Sequence, residues 1–412
     1  MQTQPVRVCF PFTGDVVGGS HYSVLGLVKN LDSTRFVPVI VPQYPDGAIA
    51  RLFRGHGLQV ETPLSWTELP YDQGIEWRRT LRTVGDIPRQ VRYLKASKFR
   101  MVHTNDGRTH ATWGPAARLA GAKLLWHQRG DPSAIGLRFA APLLASKVVS
   151  VSEFALPRLG IWSAAAKARV VHSAFATDVQ VDRKQARADL VAELGCSPDT
   201  VFVGFFGAFI PRKRPFLFID AIAELVARHR GRPVLGLLFG EAYDGGRTES
   251  SLAEYAEAKG LGGSVRQMGF RSPGPYWLGG CDVLLISATG EPFGRTLIEA
   301  MLVGTPVVAT ASGGNIEALR GGSLGILTPP EDAAGLATGV RQLIEHPDRV
   351  KAYVNAAHRD AVTRFGESKH AQQMMSIYDE LLSPRLPERR SATGKAFATA
   401  GSPGETQSGG RP

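Results

Sequence analysis

Cysteine is scarce in this sequence. Only Cys9, Cys196 and Cys281 occur among the 412 residues, and no two of them form a CxxC pair. Secreted disulfide scaffolds are dense in cysteine, and structural zinc sites need cysteine or histidine ligands at short spacings. The sequence therefore predicts neither kind of protein, and it indicates a reducing compartment.

Long apolar runs are missing as well. No stretch approaches the roughly 20 apolar residues that span a bilayer. The first residues also lack the basic region and the apolar run of a secretory signal peptide. We therefore expect a cytoplasmic protein without a transmembrane helix.

Two signatures of nucleotide chemistry are also absent. The loop 13–20 contains Gly18 and Gly19 but not GxGxxG, and no well-placed acidic residue ends the second predicted strand, which argues against an NAD enzyme. No DxD motif and no His, Cys and Asp cluster at ligand spacing occurs, so we expect no metal ion and no cofactor. On local sequence alone, the two glycines could also serve a tight turn.

The composition that is present is that of a globular protein with excess positive charge. The length suits two domains, and 43% hydrophobic and 21% charged residues are average values. Lysine and arginine number 48 against 37 acidic residues, a net charge of +11. Such an excess favours partners that carry phosphate.

Part of that charge is concentrated between positions 78 and 100. This region could be the solvated face of a helix, or a peripheral contact with an anionic membrane at the inner face of the plasma membrane. Nucleic acid is not an expected partner, because no zinc-finger or RNA-recognition motif accompanies the charge. The basic residues are Arg78, Arg79, Arg82, Arg89, Arg92, Lys95, Lys98 and Arg100.

Short β-rich runs alternate with amphipathic runs along the chain, and the pattern restarts in the second half. Strands are predicted at 6–12, 36–41, 101–104, 122–127, 147–151 and 169–172, and again at 201–206, 234–239, 265–268, 283–287 and 306–309. Many of these runs are apolar on both faces, which is typical of buried parallel sheets. The sequence therefore predicts an α/β fold with two doubly wound, Rossmann-like parallel-sheet domains.

The same pattern gives the domain limits. We expect an N-terminal Rossmann-like domain over 1–178 and a C-terminal Rossmann-like domain over 179–365. A C-terminal helix over 366–383 is expected to pack back on the first domain. The remaining segment, 384–412, is rich in proline, glycine and serine, and it is expected to be a disordered tail.

Strand-to-helix loops are the places to look for chemistry, because helix N-termini at the carboxyl ends of the strands attract anions. In the loop 207–215, Arg212, Lys213 and Arg214 precede a helix that starts with proline, which favours a diphosphate clamp over a merely solvated basic loop. The segment 287–301 places Glu291 in a loop and Glu299 in the following helix. A cap and an i,i+4 pair with Arg295 are the structural alternatives for these two acids.

The sequence resembles the retaining glycosyltransferases of family 4, also called glycosyltransferase group 1. These enzymes have the GT-B fold of two facing Rossmann-like domains. The resemblance spans about residues 6–382. It rests on the run from 268–270 through 281–283 to Glu291 and Glu299, an E-x7-E motif, and on Gly313, Gly314 and Glu317.

The resemblance implies that the N-terminal domain, 1–178, binds the acceptor and that the C-terminal domain, 179–365, binds the donor. It also implies roles for individual residues. Catalytic roles fall to His127, Glu291 and Lys213, although a histidine at a strand end is by itself more often structural. Asn105, Asp106, Arg108 and Arg129 lie in loops expected at the cleft and are the acceptor-binding candidates. The residues expected to bind the donor are Gly18, Gly19, Arg212, Lys213, Gly294, Arg295, Thr296 and Glu299.

The implied reaction moves a sugar from a nucleoside diphosphate sugar, with UDP or GDP as the expected nucleotide, to the hydroxyl of a carbohydrate or lipid-linked acceptor. The resemblance implies that the anomeric configuration is retained and that no metal ion takes part. The expected pathway is the synthesis of cell-surface polysaccharide, lipopolysaccharide or glycolipid. Ala208 departs from the family, which usually has arginine there. A GT-B-type nucleotide-sugar epimerase and a non-catalytic nucleotide-sugar binding protein are the alternatives.

Overall fold

The computed structural model describes residues 4–62, 65–69, 77–229 and 231–383. Within these residues the strands form two parallel sheets of six strands each, with helices packed against them. The predicted α/β class with two doubly wound sheets is confirmed. The predicted disordered tail, 384–412, lies outside the described residues.

The first sheet follows the predicted strands closely, because its apolar runs pack against helices on both sides. Its strand order is 2-1-3-4-5-6, and every pairing is parallel. The strands are β1 (Val6–Phe12), β2 (Phe36–Pro42), β3 (Met101–Thr104), β4 (Lys123–Gln128), β5 (Lys147–Ser150) and β6 (Ala168–Val170).

The second sheet has the order 12-11-10-7-8-9, again all parallel. Its last strand was not predicted, since it has three residues and is only partly buried. The strands are β7 (Val201–Phe206), β8 (Val234–Phe239), β9 (Val265–Gly269), β10 (Val283–Ile286), β11 (Val307–Thr310) and β12 (Ile326–Thr328).

Several helices begin at residues that suit a helix N-terminus. The Asp182 side chain accepts hydrogen bonds from the backbone of Lys184 and Gln185, and Pro215 opens a helix of its own. Among the described helices, none combines the length and apolarity needed to cross a membrane. In the first half they are α1 (Gly19–Lys29), α2 (Ala48–Arg54), α3 (Trp77–Ala96), α4 (Gly107–Ala120) and α5 (Ala141–Leu144). In the second half they are α6 (Arg183–Leu194), α7 (Pro215–Arg228), α8 (Arg247–Ala258), α9 (Gly274–Gly280), α10 (Arg295–Val303), α11 (Gly314–Ala318), α12 (Ala333–Glu345), α13 (Pro347–Phe365) and α14 (Glu367–Leu382).

Each face of the first sheet has its own core. On one face, Leu94 of α3, Trp113 of α4 and Ala141 of α5 pack in a single buried cluster with strand residues. We call these helices the α3–α5 layer. On the opposite face, Leu27 of α1 and Tyr378 of α14 pack with the other side of the strands.

The chain links the two sheets at Phe175 and again at Gly366, which form an isolated parallel bridge. The Phe175 N–H donates to the carbonyl of Phe365 at 3.0 Å. Helix α14 then lies along the first sheet, where Asp379 pairs with Arg35. The domain limits given above remain a prediction.

Candidate active site

The carboxylate of Glu291 lies between two cations from another loop. Glu291 follows β10, whereas Arg212 and Lys213 follow β7 in a short 3-10 turn. Its Oε2 lies 2.8 Å from Lys213 Nζ and is also paired with Arg212. Burial raises the pKa of Glu291, but the charges of Lys213 and Arg212 outweigh burial and hold that pKa at about 2. At neutral pH the site therefore holds one carboxylate and two cations, a net positive charge.

The third basic residue of this loop points elsewhere. Arg214 pairs with Glu331 at 2.8 Å. Arg212 is thus the arginine that lies beside Glu291, in the loop where Ala208 departs from the family pattern. The partner of Arg214, Glu331, is more than a hundred positions away in the sequence, so no local pattern indicates which of the two arginines lies beside Glu291.

Two glycines hold the Glu291 loop in place. Gly313 has φ +61°, and a side chain at this position would come within 2.3 Å of the Glu291 carbonyl oxygen. The Gly314 N–H donates to that oxygen at 2.7 Å. Only glycine permits such a close approach with this backbone conformation.

Helix α10 starts beside the same loop. Gly294 precedes the helix, and Arg295 and Thr296 form its first turn, whose backbone N–H groups have no partner within the helix. Arg295 Nη2 lies 3.3 Å from Glu299 Oε1, which is the i,i+4 contact considered as the structural alternative. The opposite end of the same guanidinium donates to the carbonyl of Ala174 at 3.1 Å.

The glycine loop of the first domain meets Arg295. A side chain at Gly19 would come within 2.4 Å of Arg295 Cδ, whereas Gly18 has open space around it. The Gly18 N–H donates to His21 Nδ1 at 3.0 Å. Gly19 is therefore the glycine that a close approach between the two halves requires.

His127 lies deeper than a strand-end position suggests. Its side chain is fully buried, and its Nδ1 lies 3.0 Å from His103 Nε2. Burial, followed by the charge of Arg129, lowers the pKa of His127 well below its usual value, so the ring is neutral. Its Nε2 is buried and finds no hydrogen-bond partner among the described residues.

Arg129 contacts one other acceptor-binding candidate, Asn105, and also contacts His127. Its guanidinium donates to Asn105 Oδ1 at 3.2 and 3.3 Å and lies 3.3 Å from His127 Nδ1. Burial, and then the nearby charge of Arg295, lower the pKa of Arg129 to about 9, so two positive charges lie close together here. Asp106 caps α4 by accepting from the Arg108 and Thr109 backbone, and Arg108 extends to Gly14.

A second link between the two halves is made by the loop after β6. His172 Nε2 lies 2.7 Å from Glu317 Oε1, and the other oxygen of Glu317 accepts from the Glu153 N–H at 2.8 Å. Ser173 Oγ accepts from Arg129 at 3.2 Å. These residues place the loop after β6 at the edge of the site, although their spacing in the sequence carries no signal.

The structure therefore brings six of the fourteen predicted residues into two groups. Arg212, Lys213 and Glu291 form one group, and Asn105, Arg129 and His127 form the other. Arg295 lies between them, close to Gly19. Within the described ranges, no group of three or more His, Cys, Asp or Glu side chains is placed to hold a metal ion.

Comparison with solved structures gives the fold. Anabaena Alr3699/HepE in complex with UDP and glucose superposes with a TM-score of 0.77 at 24% identity, over 91% of this chain and 99% of that one. Sucrose-phosphate synthase from Thermosynechococcus elongatus gives a TM-score of 0.71 at 18% identity, over 91% and 99% of the two chains. The architecture is thus that of the GT-B glycosyltransferases.

Curated relatives match the chain over a shorter stretch. A D-inositol 3-phosphate glycosyltransferase from Thermobispora bispora is 29% identical over 213 residues, 50% of this chain and 49% of that protein. One from Streptomyces bingchenggensis is 32% identical over 204 residues, 48% and 44% of the two chains. The chain thus spans about half the length of the curated relatives it matches. Residues 187–360 match the family model of glycosyl transferases group 1.

Proposed function

We propose that this protein is a retaining glycosyltransferase of family 4 that uses a UDP- or GDP-sugar. The observation that carries the proposal is the placement of Lys213 and Arg212 around Glu291, within the matched domain and next to the first turn of α10. The similar HepE structure contains UDP-glucose, which supports a nucleoside diphosphate sugar as the donor class.

The leaving diphosphate would be held by this chain's own positive groups. Lys213, Arg212 and the backbone N–H groups of Gly294, Arg295 and Thr296 offer charge and hydrogen bonds where negative charge develops as the glycosidic bond breaks. These groups supply the stabilisation that a metal ion gives in other enzymes, so we propose a metal-independent reaction. Glu299 would bind the ribose once its contact with Arg295 gives way.

Glu291 would position the sugar rather than attack it. The carboxylate is paired with two cations, which lowers its nucleophilicity. We propose that the acceptor hydroxyl attacks from the face that the diphosphate leaves, and that the departing phosphate takes its proton. Trapping of a stable glycosyl adduct on Glu291, measured by mass spectrometry, would contradict this mechanism.

His127 would act on the sugar through a neutral ring. Its buried Nε2 is available for a hydrogen bond, and its Nδ1 is oriented by His103 and Arg129.

The acceptor side of the site would be lined by Asn105, Asp106, Arg108 and Arg129. The relatives named for inositol 3-phosphate support an acceptor that carries phosphate, which the nearby positive charges of Arg129 and Arg295 would favour. We also propose that the acceptor is linked to a lipid, as in cell-surface polysaccharide or glycolipid synthesis. The basic region 78–100 would then contact the membrane that holds this acceptor.

A turnover assay separates the proposed activity from its alternatives. Release of nucleoside diphosphate that requires an acceptor supports the transferase. Isomerised sugar without an acceptor would indicate an epimerase, and donor binding without turnover a non-catalytic binding protein. Proton NMR of the anomeric centre of the product then tests retention.

A further inference from the structure

The longest run of exposed apolar side chains near the site lies in a loop after β5. Residues 158–162 are all exposed, and three of the five are large and apolar: Leu159 is 93% exposed, Ile161 is fully exposed and Trp162 is 56% exposed. Single exposed apolar residues are ordinary on protein surfaces, but a cluster marks an interaction site. We call residues 158–162 the apolar tip.

The apolar tip is anchored beside α5. Ser163 Oγ donates to the Arg158 carbonyl, and Ala164 is buried in the same cluster as Ala141 of α5. On this short helix and just before it, Leu143 and Phe139 are 61% and 53% exposed. The apolar surface therefore extends from the tip onto the α3–α5 layer.

The same layer carries the basic stretch. Helix α3 exposes Arg82, Arg89 and Arg92, and it also exposes Leu81 and Val84. Among the described residues, none of these three arginines forms a salt bridge. Helix α3 and Ala164, a buried residue just after the apolar tip, pack in the same core cluster as α4, so the basic helix and the tip lie on the same face of the first sheet.

We propose that this side of the first domain docks on an anionic lipid bilayer, with the apolar tip inserted and α3 against the headgroups. A bilayer surface fits both features, because tryptophan favours the membrane interface and arginine is attracted to anionic lipids. The proposal goes beyond the activity given above and does not depend on it. It also differs from an electrostatic contact through 78–100 alone, since the tip supplies insertion.

The tip also leads back to the site. Phe154, in the segment that precedes it, lies beside Gly290, the residue before Glu291. The N–H of Glu153 is bonded to Glu317. Docking would therefore place the mouth of the cleft at the bilayer surface, where a lipid-linked acceptor resides. Only this last step rests on the proposed function.

The test is vesicle binding by the purified full-length protein, without donor or acceptor. We expect binding to vesicles that contain phosphatidylglycerol, weaker binding to pure phosphatidylcholine, and a blue shift of the tryptophan fluorescence that a variant without Trp162 lacks. The triple variant Leu159→Ser, Ile161→Ser, Trp162→Ser should bind at least about tenfold more weakly, whereas Val362→Ser, at an exposed position on α13, should bind like the unaltered protein.

A second variant set tests the charges. Changing Arg82, Arg89 and Arg92 to glutamine should weaken binding to the anionic vesicles by up to about 100-fold, since each basic group near the surface contributes roughly fivefold. Circular dichroism and thermal unfolding confirm that the variants fold. The proposal is wrong if the unaltered protein does not bind anionic vesicles. It is equally wrong if the triple variant binds them unchanged and only dissociates a dimer in light scattering.

Discussion

Lys213 Nζ lies 2.8 Å from Glu291 Oε2. This ion pair joins the loops that follow β7 and β10, two neighbouring strands of the second sheet. Arg212 pairs with the same oxygen. With its pKa held at about 2, the carboxylate of Glu291 is ionised at neutral pH. The cations are thus in place before a substrate arrives, which is what preorganised stabilisation of a leaving group requires.

Removal of the lysine should be costly. Lys213→Ala removes a preorganised cation and also leaves Glu291 with one partner fewer, so we expect kcat to fall about 10²–10³-fold. Lys213→Arg keeps the charge and should lose less. Steady-state rates of both variants, with donor at saturation, measure the effect. Near-normal turnover by Lys213→Ala would contradict a role in stabilising the leaving group.

Arg212 should supply the positive charge that is missing at Ala208, where the family usually has arginine. Arg212→Ala removes a charged contact, which is worth about 1.5–3 kcal/mol, so the Kd for the donor should rise about tenfold or more. Adding Ala208→Arg to that variant should recover part of the affinity. Isothermal titration with the donor and with free nucleoside diphosphate checks both steps. As a control, Arg214→Ala should bind the donor normally, because Arg214 pairs with Glu331 instead.

Gly313 should tolerate no side chain. Gly313→Ala forces a strained φ and a clash with the Glu291 carbonyl, and a backbone strain of this kind costs about 1–3 kcal/mol. We expect a lower free energy of unfolding and loss of turnover, because the Glu291 loop must shift. Gly263→Ala, at a glycine with open space around it, is the matched control. Equal stability of the two variants would contradict the packing described here.

Stability should decline in mild acid because histidines are buried as neutral rings. Burial lowers the pKa of His21 to about 4 and the pKa of His110 and His370 to about 3, against 6.5 for a free side chain. The unfolded chain therefore binds more protons between pH 6.5 and 4, and folding stability falls as the pH drops through this window. Each group contributes up to about 1.4 kcal/mol per pH unit.

Urea unfolding at pH 8, 6, 5 and 4.5 measures this dependence. His370→Asn can still donate to the His172 carbonyl and should show a shallower decline. Glu291 contributes differently, since the stability from its lowered pKa is lost only as the pH falls below about 4.5. A stability that is constant from pH 6.5 to 4.5 would show that these histidines are accessible to protons.

The sequence predicts the sheets well because parallel strands that are buried on both faces must be apolar throughout. The strands 6–12, 101–104, 201–206 and 234–239 have the predicted limits. The missed strand, β12, has only three residues, of which two are partly buried, and thus too weak a pattern. Helix α2 was also missed, since its seven residues lie among turns.

The site is harder to predict because depth and long-range contacts leave no local trace. His127 lies within β4, one residue before its end, whereas Arg129 follows the strand. Hence the arginine, rather than the histidine, reaches Ser23 and Ser173. The E-x7-E spacing, in contrast, is local and marks Glu291 without any knowledge of its partners.

A thermal-shift panel of UDP-, GDP-, ADP- and dTDP-sugars tests the central claim most directly, with the unaltered protein and Lys213→Ala side by side. At 100 times its dissociation constant, the true donor should stabilise the unaltered protein by about 2.7 kcal/mol and the variant far less. If no sugar nucleotide raises the melting temperature, or if one stabilises both proteins equally, the account of a diphosphate held by Lys213 is wrong.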